Sequence, residues 1–363
     1  MSKIAIIGCG VVGATIAYEL SLIPELEITV IEKNTFAHGA TGAALGILMG
    51  AISGKTKGRA WKLREASLKR YPSLISELEA QTKIAIPVNR DGIVKLLFTE
   101  DKIEKWQKLQ QTRAKQGWNL EIWDKSSLKQ KCPEINDTNL IGAVYSPQDS
   151  QINPQILTKA LVKAATLNGV EFQFGVSLNQ IGEGAKHQQL DRITTTKGNL
   201  DIDYLIIAAG LGSTPLTAFL HDKLDIRPVL GQAIKFQLEQ NIGLNTFQPI
   251  VTGDDVHIVP LGNQQYWLGA TVEFPDDDCN VVAKAELLEE VHQQAIAFCP
   301  TIANATILDS WQGKRPRPYG QAAPVIGKLS DYDNVLLATA HYRNGILLAP
   351  GTAREIKNLL KIE

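Results

Sequence analysis

The chain has 363 residues, of which 37 are Lys or Arg and 38 are Asp or Glu, and its formal net charge is −1. With 44% hydrophobic residues, this length predicts a well-buried core in the size range of two ordinary domains, not a disordered chain. The charge balance excludes a dedicated nucleic-acid binder, which normally carries a basic excess. No apolar run approaches the roughly 18 residues of a membrane span. The short apolar run after Lys3 is not typical of a signal peptide. We expect a soluble protein.

The four cysteines are scattered along the chain, and their spacings match neither a zinc site nor a redox pair. This pattern predicts reduced thiols in the cytoplasm and no metal site. The cysteines are Cys9, Cys132, Cys279 and Cys299.

The first 32 residues have the order strand, glycine turn, helix, strand and acid. The apolar run 4–7 predicts a short buried strand, and a helix is expected from about Gly10 to Leu22 with Ala14, Ala17 and Leu20 on its packing side. The run 28–31 predicts the second strand. Such a unit binds a dinucleotide, although the glycine motif alone is weak evidence.

Each residue of this motif has a physical task. Gly8 permits the tight turn, Gly10 lets the backbone approach a diphosphate, and Gly13 allows the helix to pack closely on the strand. The diphosphate would meet free N–H groups at the positive end of the helix. Glu32 can accept hydrogen bonds from ribose hydroxyls and would repel a 2′-phosphate, which disfavours NADP. The motif does not separate NAD from FAD.

One local basic excess follows, in residues 55–70, where seven basic residues outnumber Glu65. We interpret it as the solvated face of a helix, with an anionic partner or membrane surface as the alternative. The basic residues are Lys55, Lys57, Arg59, Lys62, Arg64, Lys69 and Arg70.

The rest of the chain alternates helices with strands. Asn153 is the expected N-cap of the third helix below, and the last two strands form a hairpin closed by Gly262 and Asn263. No clean linker separates these elements, which indicates that two domains are interwoven. In chain order we predict a helix over 59–79, a strand over 93–98, helices over 103–116 and 154–167, and strands over 204–210, 256–260 and 266–270.

Five segments in order along the chain carry a family resemblance: 38–46, 149–154, 208–213, 313–316 and 341–350. With them the chain resembles the D-amino acid oxidase and glycine oxidase family of FAD-dependent enzymes, and most of all its glycine oxidase branch. The last segment, His-Tyr-Arg-Asn-Gly-Ile-Leu-Leu-Ala-Pro, is the most specific.

The resemblance implies an α/β fold in which a Rossmann-type FAD-binding domain is interwoven with an antiparallel-sheet α+β substrate domain. FAD would lie extended, with its ring at the boundary between the domains. We expect residues 1–80, 141–220 and 311–363 to form the FAD-binding domain, and residues 81–140 and 221–310 to form the substrate domain.

The resemblance also implies which residues contact FAD. Small residues suit positions 43, 44 and 46, because backbone and ring must approach closely there; without the family context, a flexible loop would be the simpler reading. No cysteine lies between Arg315 and Gly327, where related monomeric sarcosine oxidases attach FAD, so non-covalent FAD is expected. The implied contacts are Gly8, Gly10, Val11, Val12, Gly13, Glu32, Lys33, Thr41, Ala43, Ala44, Gly46, Val176, Ala209, Gly210, Arg343, Asn344, Gly345 and Ile346.

Three residues match the family's substrate side, and these are the catalytic candidates. Arg315 corresponds to the arginine that binds the substrate carboxylate, and Arg343 to a second arginine near the same pocket; a guanidinium offers paired donors and a permanent charge. His257 stands where glycine oxidase has a tyrosine. Its imidazole would donate one hydrogen bond and titrate near neutral pH, or it is simply a satisfied strand histidine.

Three departures put the substrate in doubt. Leu230 and Leu261 replace arginines that the family often carries. Ala340 replaces a glycine before His341, which adds a methyl group near the expected path of the flavin.

The expected reaction is oxidation of the Cα–N bond of a small amino acid by hydride transfer to flavin, with O2 as the acceptor and H2O2 as a product. Orientation and electrostatics suffice for this chemistry, which fits the lack of an obvious acid–base dyad. The alternatives are a dehydrogenase of the same family that reduces a quinone, a non-catalytic FAD-binding protein, and, least favoured, a nicotinamide dehydrogenase. Membrane contact is not expected. The oligomeric state stays open, a homo-oligomer included.

Overall fold

The structure is a computed structural model that describes residues 1–136, 138–181, 189–220 and 224–360. The helices are α1 Val11–Ser21, α2 Gly58–Thr82, α3 Ile103–Lys115, α4 Lys125–Lys131, α5 Pro154–Leu167, α6 Ser213–Ala218, α7 Ala285–Phe298 and α8 Gly345–Leu360, with short 3-10 turns at Gly210–Gly212 and Pro300–Asn304. The strands are β1 Ser2–Ile7, β2 Leu26–Glu32, β3 Ile47–Leu48, β4 Val88–Asn89, β5 Ile93–Phe98, β6 Glu121–Asp124, β7 Leu140–Ser146, β8 Ser150–Ile152, β9 Glu171–Phe174, β10 Leu178–Ile181, β11 Arg192–Thr195, β12 Gly198–Asp201, β13 Tyr204–Ile207, β14 Ile226–Gln237, β15 Ile250–Gly253, β16 Val256–Gly262, β17 Gln265–Gly269, β18 Thr306–Pro318, β19 Val325–Lys328 and β20 Val335–Thr339.

A six-stranded sheet in the order β19-β20-β13-β1-β2-β9 contains the N-terminal βαβ unit. All its pairs are parallel except β19 with β20. Alternate residues of β1 pack into two cores: Ile4 and Ile6 meet helices α1, α2, α5 and α8, while Ala5 and Ile7 face the opposite side. Burial on both faces explains why these strands read as continuous apolar runs.

An eight-stranded sheet in the order β18-β14-β17-β16-β15-β5-β7-β6 is antiparallel except for the pair β15 and β5. On one face, Val94, Ile258 and Leu268 pack against Val291 and other residues of α7. Two further three-stranded sheets, β10-β11-β12 and β3-β8-β4, complete the fold. The mixed α/β architecture predicted from the sequence is confirmed.

The domain division stays a proposal, and sheet membership bears on two of its limits. Residues 141–146 of β7 and 311–318 of β18 lie in the eight-stranded sheet, although we placed both segments in the FAD-binding domain. Strands β7 and β18 therefore cross the proposed boundaries.

The basic stretch is mostly solvated, as expected, but Arg64 is buried. Arg64 donates to the carbonyl of Ala60. Carboxylates neutralise much of the exposed charge through the ion pairs Arg59–Glu355, Lys69–Glu65 and Arg70 with both Glu19 and Glu77.

Candidate active site

The glycine turn between β1 and α1 has the geometry that the motif predicts. Gly8 has φ +104°, and a Cβ there would lie 2.7 Å from the carbonyl oxygen of Ala208. A Cβ on Gly13 would lie 2.0 Å from the oxygen of Gly8. Only glycine fits either position, so β1, α1 and the end of β13 are held in close contact.

The N-terminus of α1 is prepared for an anion. It has no side-chain cap and no acidic residue in its first turn. The Val11 N–H donates to Thr41 Oγ1 over 3.0 Å, and the Ala14 N–H donates to the Gly10 oxygen. Among the described residues the N–H groups of Val12 and Gly13 have no such partner, so they can bind a diphosphate.

Glu32 lies at the end of β2, beside this turn. Its Oε2 accepts from the Cys9 N–H over 2.8 Å, and its Oε1 accepts from the Asn34 N–H over 2.9 Å. A carboxylate has further lone pairs, so these bonds fix its direction and leave capacity for ribose hydroxyls. The adjacent Lys33 is exposed. Val176 is buried, and its N–H donates a hydrogen bond to the Glu32 carbonyl.

The segment around Ala43 joins the two sheets. Trp311 of β18 donates through Nε1 to the Ala43 carbonyl over 3.0 Å, and a Cβ on Gly313 would lie 2.3 Å from the Ala43 Cβ. Gly46 has φ +75°, and a Cβ there would lie 1.8 Å from the Ile152 oxygen. The small residues predicted to admit the flavin therefore also allow this segment to pack on its neighbours; Ala44 is half-buried beside it.

The C-terminal motif reaches the same region. The Tyr342 N–H donates to the Pro316 carbonyl over 3.0 Å. Gly210, with φ +57°, lies against the Pro316 ring, and Ala209 precedes it. Helix α8 begins at Gly345, immediately after Asn344, and Ile346 is buried in its first turn. Motifs far apart in sequence are thus brought together.

One face of the eight-stranded sheet carries His257 and Trp311. Residues opposite one another on adjacent strands share a face, and the pairings place a row of side chains across six strands. The row consists of Lys95, Thr252, His257, Gly269, Ala233 and Trp311. Its two smallest members, Gly269 and Ala233, lie between His257 and Trp311.

Arg315 follows Trp311 and Gly313 along the same face of β18. Its Nη1 donates to the carbonyl oxygens of Leu230 and Thr271, each over 3.0 Å. No described carboxylate forms an ion pair with it, and Nε and Nη2 have no acceptor within the described residues. Burial, with the charge of Arg343 next, lowers the pKa of Arg315, yet an arginine stays charged. A cation with one free edge suits a carboxylate ligand.

The hydrogen bond from Tyr342 to Pro316 brings Arg343 near Arg315, and the ion pair of Arg343 with Asp255 brings it near His257. Arg343 Nη1 forms an ion pair with Asp255 Oδ2 over 3.2 Å. Burial and the charge of Arg343 lower the pKa of His257 to about 4, against the opposing effect of Asp255. Our expectation that His257 titrates near neutral pH is therefore wrong, because burial of the ring and, after it, the positive charges of Arg343, Lys95 and Arg315 disfavour the imidazolium form. Its Nδ1 is buried without a partner among the described residues.

The three departures have structural consequences. Leu230 is buried and contributes its carbonyl to Arg315. Ala340 is fully buried with φ +54°, a conformation that favours glycine. Leu261 is half-buried near the end of β16.

Several residues of this site were missed in the sequence. Gly231 lies under Arg315, since a Cβ there would be 2.2 Å from Nη2. Asp255 and Glu273 lie near the arginines, and Trp267 packs edge-on against Trp311 at 5.8 Å. The Gly231-Gln232 pair, which lies within strand β14, was the one available signal.

Comparison with known proteins identifies the family. The family described as DAO, FAD dependent oxidoreductase, matches residues 3–359. The chain belongs to this family. FAD is its cofactor, and the resemblance read from the motifs is confirmed.

Three similar proteins illustrate the relationship. The bifunctional protein ThiO/ThiG of Synechocystis sp. is 29% identical over 365 residues, which cover 99% of this chain and 51% of that protein. The glycine oxidase of Geobacillus kaustophilus is 27% identical, covering 99% of this chain and 92% of the relative. A crystal structure of glycine oxidase from Geobacillus kaustophilus superposes with a TM-score of 0.88 at 26% identity, covering 99% and 95%. This chain thus spans about half the length of the bifunctional relative.

Among the described residues, no helix is long and apolar enough to span a membrane. No group of three or more His, Cys, Asp or Glu side chains in that part of the chain is arranged to hold a metal ion.

Proposed function

We propose that this flavoprotein oxidises the Cα–N bond of a small amino acid with one carboxylate, such as glycine, sarcosine or a D-amino acid. The observation that carries the proposal is the half-free guanidinium of Arg315. Its Nη1 is committed to two carbonyls, so the Nε and Nη2 edge can bind a carboxylate through two parallel hydrogen bonds.

The surrounding charges favour a monoanion. Arg315, Arg343 and Lys95 supply three positive charges around His257. Asp255 pairs with Arg343, and Glu273 lies near Arg315. Three cations and two carboxylates leave one positive charge, which a single substrate carboxylate neutralises.

The site residues act by binding and orientation. Gly8, Gly10 and Gly13 with the free N–H groups of α1 would hold the FAD diphosphate, and Glu32 its ribose. FAD, when bound, supplies an acceptor for hydride from the substrate Cα. Arg315 fixes the carboxylate, so the Cα–H bond takes one orientation at the ring.

His257 lies on the same face of the sheet and is uncharged at neutral pH. It adds no positive charge to the site. The imino acid product would hydrolyse in water to an oxo acid and ammonia, or to an oxo acid and methylamine where the substrate is sarcosine. The similar glycine oxidases and the family to which the chain belongs support this class of substrate, and O2 is the proposed electron acceptor.

Replacement of Arg315 tests the proposal. Arg315→Leu should weaken substrate binding by on the order of 2–4 kcal/mol, because a charged two-pronged contact is lost. Arg315→Lys should recover only part, since a point charge lacks the planar fork. FAD content should stay near that of the unmodified enzyme.

The matched control is Lys314→Leu, which removes one positive charge from the neighbouring exposed position of β18. The measurement is the concentration of amino acid that half-saturates anaerobic flavin reduction. Equal affinities in Arg315→Leu and the control would place the carboxylate elsewhere, with Arg343 the next candidate.

The acceptor requires a separate experiment. Mixing reduced enzyme with air-saturated buffer should reoxidise the flavin rapidly and give one H2O2 per flavin. Slow reoxidation in air together with fast turnover on a quinone analogue would instead indicate a dehydrogenase.

A further inference from the structure

The carbonyls that hold Arg315 belong to a short junction between two segments. Leu230 and Glu273 exchange backbone hydrogen bonds of 2.9 and 3.0 Å, and the Thr271 N–H donates to the Gln232 carbonyl over 3.2 Å. This junction carries both oxygens that accept from Arg315 Nη1. The position of the guanidinium therefore depends on how firmly the junction is fixed.

The side chain of Glu273 ties the junction together. Its Oε1 accepts from Thr271 Oγ1 over 2.5 Å and from Gln232 Nε2 over 2.9 Å. Its Oε2 accepts from the Lys284 N–H over 2.8 Å. In addition, Thr271 Oγ1 accepts from the Gln232 N–H over 2.8 Å. The carboxylate connects every segment of the junction.

This carboxylate is only 4% exposed, and it forms no ion pair among the described residues. Burying a carboxylate without a paired cation is costly, so such a group is retained only where its hydrogen bonds offset the cost. The negative charge of Glu273 also favours the positively charged form of Arg315. If position 273 only had to fill space, an apolar side chain would pack there equally well.

We infer that Glu273 is a positioning residue for Arg315, and that it fixes the guanidinium so that the Nε and Nη2 edge meets the substrate carboxylate. The inference rests on the proposed function. Glu273 would act on Arg315 through the carbonyl of Thr271 and through its charge, without touching substrate or flavin.

The test uses the FAD-loaded enzyme and acetate, a carboxylate without an amine. Glu273→Gln removes the charge and places an N–H donor in the network, while Thr271→Val removes the hydroxyl that links Gln232 to Glu273. In each variant the acetate Kd, followed by flavin absorbance, should rise on the order of 10- to 100-fold, the scale of a misplaced binding group. The amino-acid KM should rise alike, with kcat within about twofold.

Asp276→Asn is the control, because Asp276 is an exposed residue on the following turn whose carboxylate accepts from the Asn280 N–H. Its acetate Kd should not change. Unchanged acetate binding in Thr271→Val overturns the inference, and so does a loss of kcat at constant KM. If Glu273→Gln does not retain FAD, the result for Thr271→Val decides alone. If the unmodified enzyme itself does not bind acetate, the proposed carboxylate site is contradicted instead.

Discussion

Gly231→Ala should displace the side chain of Arg315 while the arginine itself stays unchanged. The new Cβ would lie 2.2 Å from Nη2, 2.3 Å from Nη1 and 2.4 Å from Cζ. Carbon contacts normally lie near 3.5–4.0 Å, so the guanidinium must withdraw by about 1 Å or more. Gly231 does not have a positive φ, so the backbone of β14 can accept alanine. We expect a folded enzyme with a displaced arginine.

The magnitude follows from the contacts at risk. Displacement breaks the two 3.0 Å bonds to Leu230 and Thr271 and misaligns the free edge that binds the carboxylate. Losing the fork costs on the order of 2–4 kcal/mol, and about 1.4 kcal/mol corresponds to a factor of ten. The half-saturating concentration of amino acid should therefore rise roughly 30- to 1000-fold.

The assay is anaerobic flavin reduction across a range of amino-acid concentrations, with FAD content measured in parallel. Gly327→Ala provides the control, since that strand glycine has no atom within 4 Å of the new Cβ. Gly231→Ala with control-like affinity would refute the reasoning that the Arg315 guanidinium above Gly231 binds the carboxylate.

Three further outcomes are expected. Glu32→Arg should lower the FAD content of purified enzyme, because ribose loses its acceptor and gains a cation; normal FAD content would exclude the assigned role. Asp255→Asn should tighten binding of a dicarboxylic amino acid relative to a monocarboxylic one, because it frees the charge of Arg343; equal effects on both would contradict the charge count. The folded pKa of His257 is about 4, below the ordinary 6.5, so the unfolded chain binds more protons between these values. The free energy of unfolding should therefore fall as pH drops from about 6.5 to 4, and less so in His257→Asn, as urea titrations at both pH values would show.

Elements with local signals were predicted well. Strand β5 has the predicted bounds, and helix α5 begins at Pro154 with Asn153 accepting from the N–H groups of Gln155 and Ile156. The glycine turn was predictable because its three glycines and the helix lie within a few residues. Strand β18 was not predicted. It forms one edge of its sheet, and its first five residues are all exposed, so the apolar residues Ile307 and Leu308 follow one another without alternation.

The site was predictable only where a family motif marked it. Arg315 was found through its motif, whereas Asp255 and Glu273 act through contacts with distant segments that leave no local pattern. The lowered pKa of His257 arises from burial and from cations on other strands, so composition around it gave no warning. Arg64 was misplaced on a solvated face because charge alone does not reveal which helix face is buried.

The most direct test of the central claim is anaerobic reduction of the FAD-loaded enzyme on a panel of glycine, sarcosine, D-alanine and L-proline, read as loss of flavin absorbance. At least one small amino acid should bleach the flavin, and Arg315→Leu should require a far higher concentration of it while Lys314→Leu does not. Flavin that stays oxidised with every member of the panel would contradict oxidation of a small amino acid at this site.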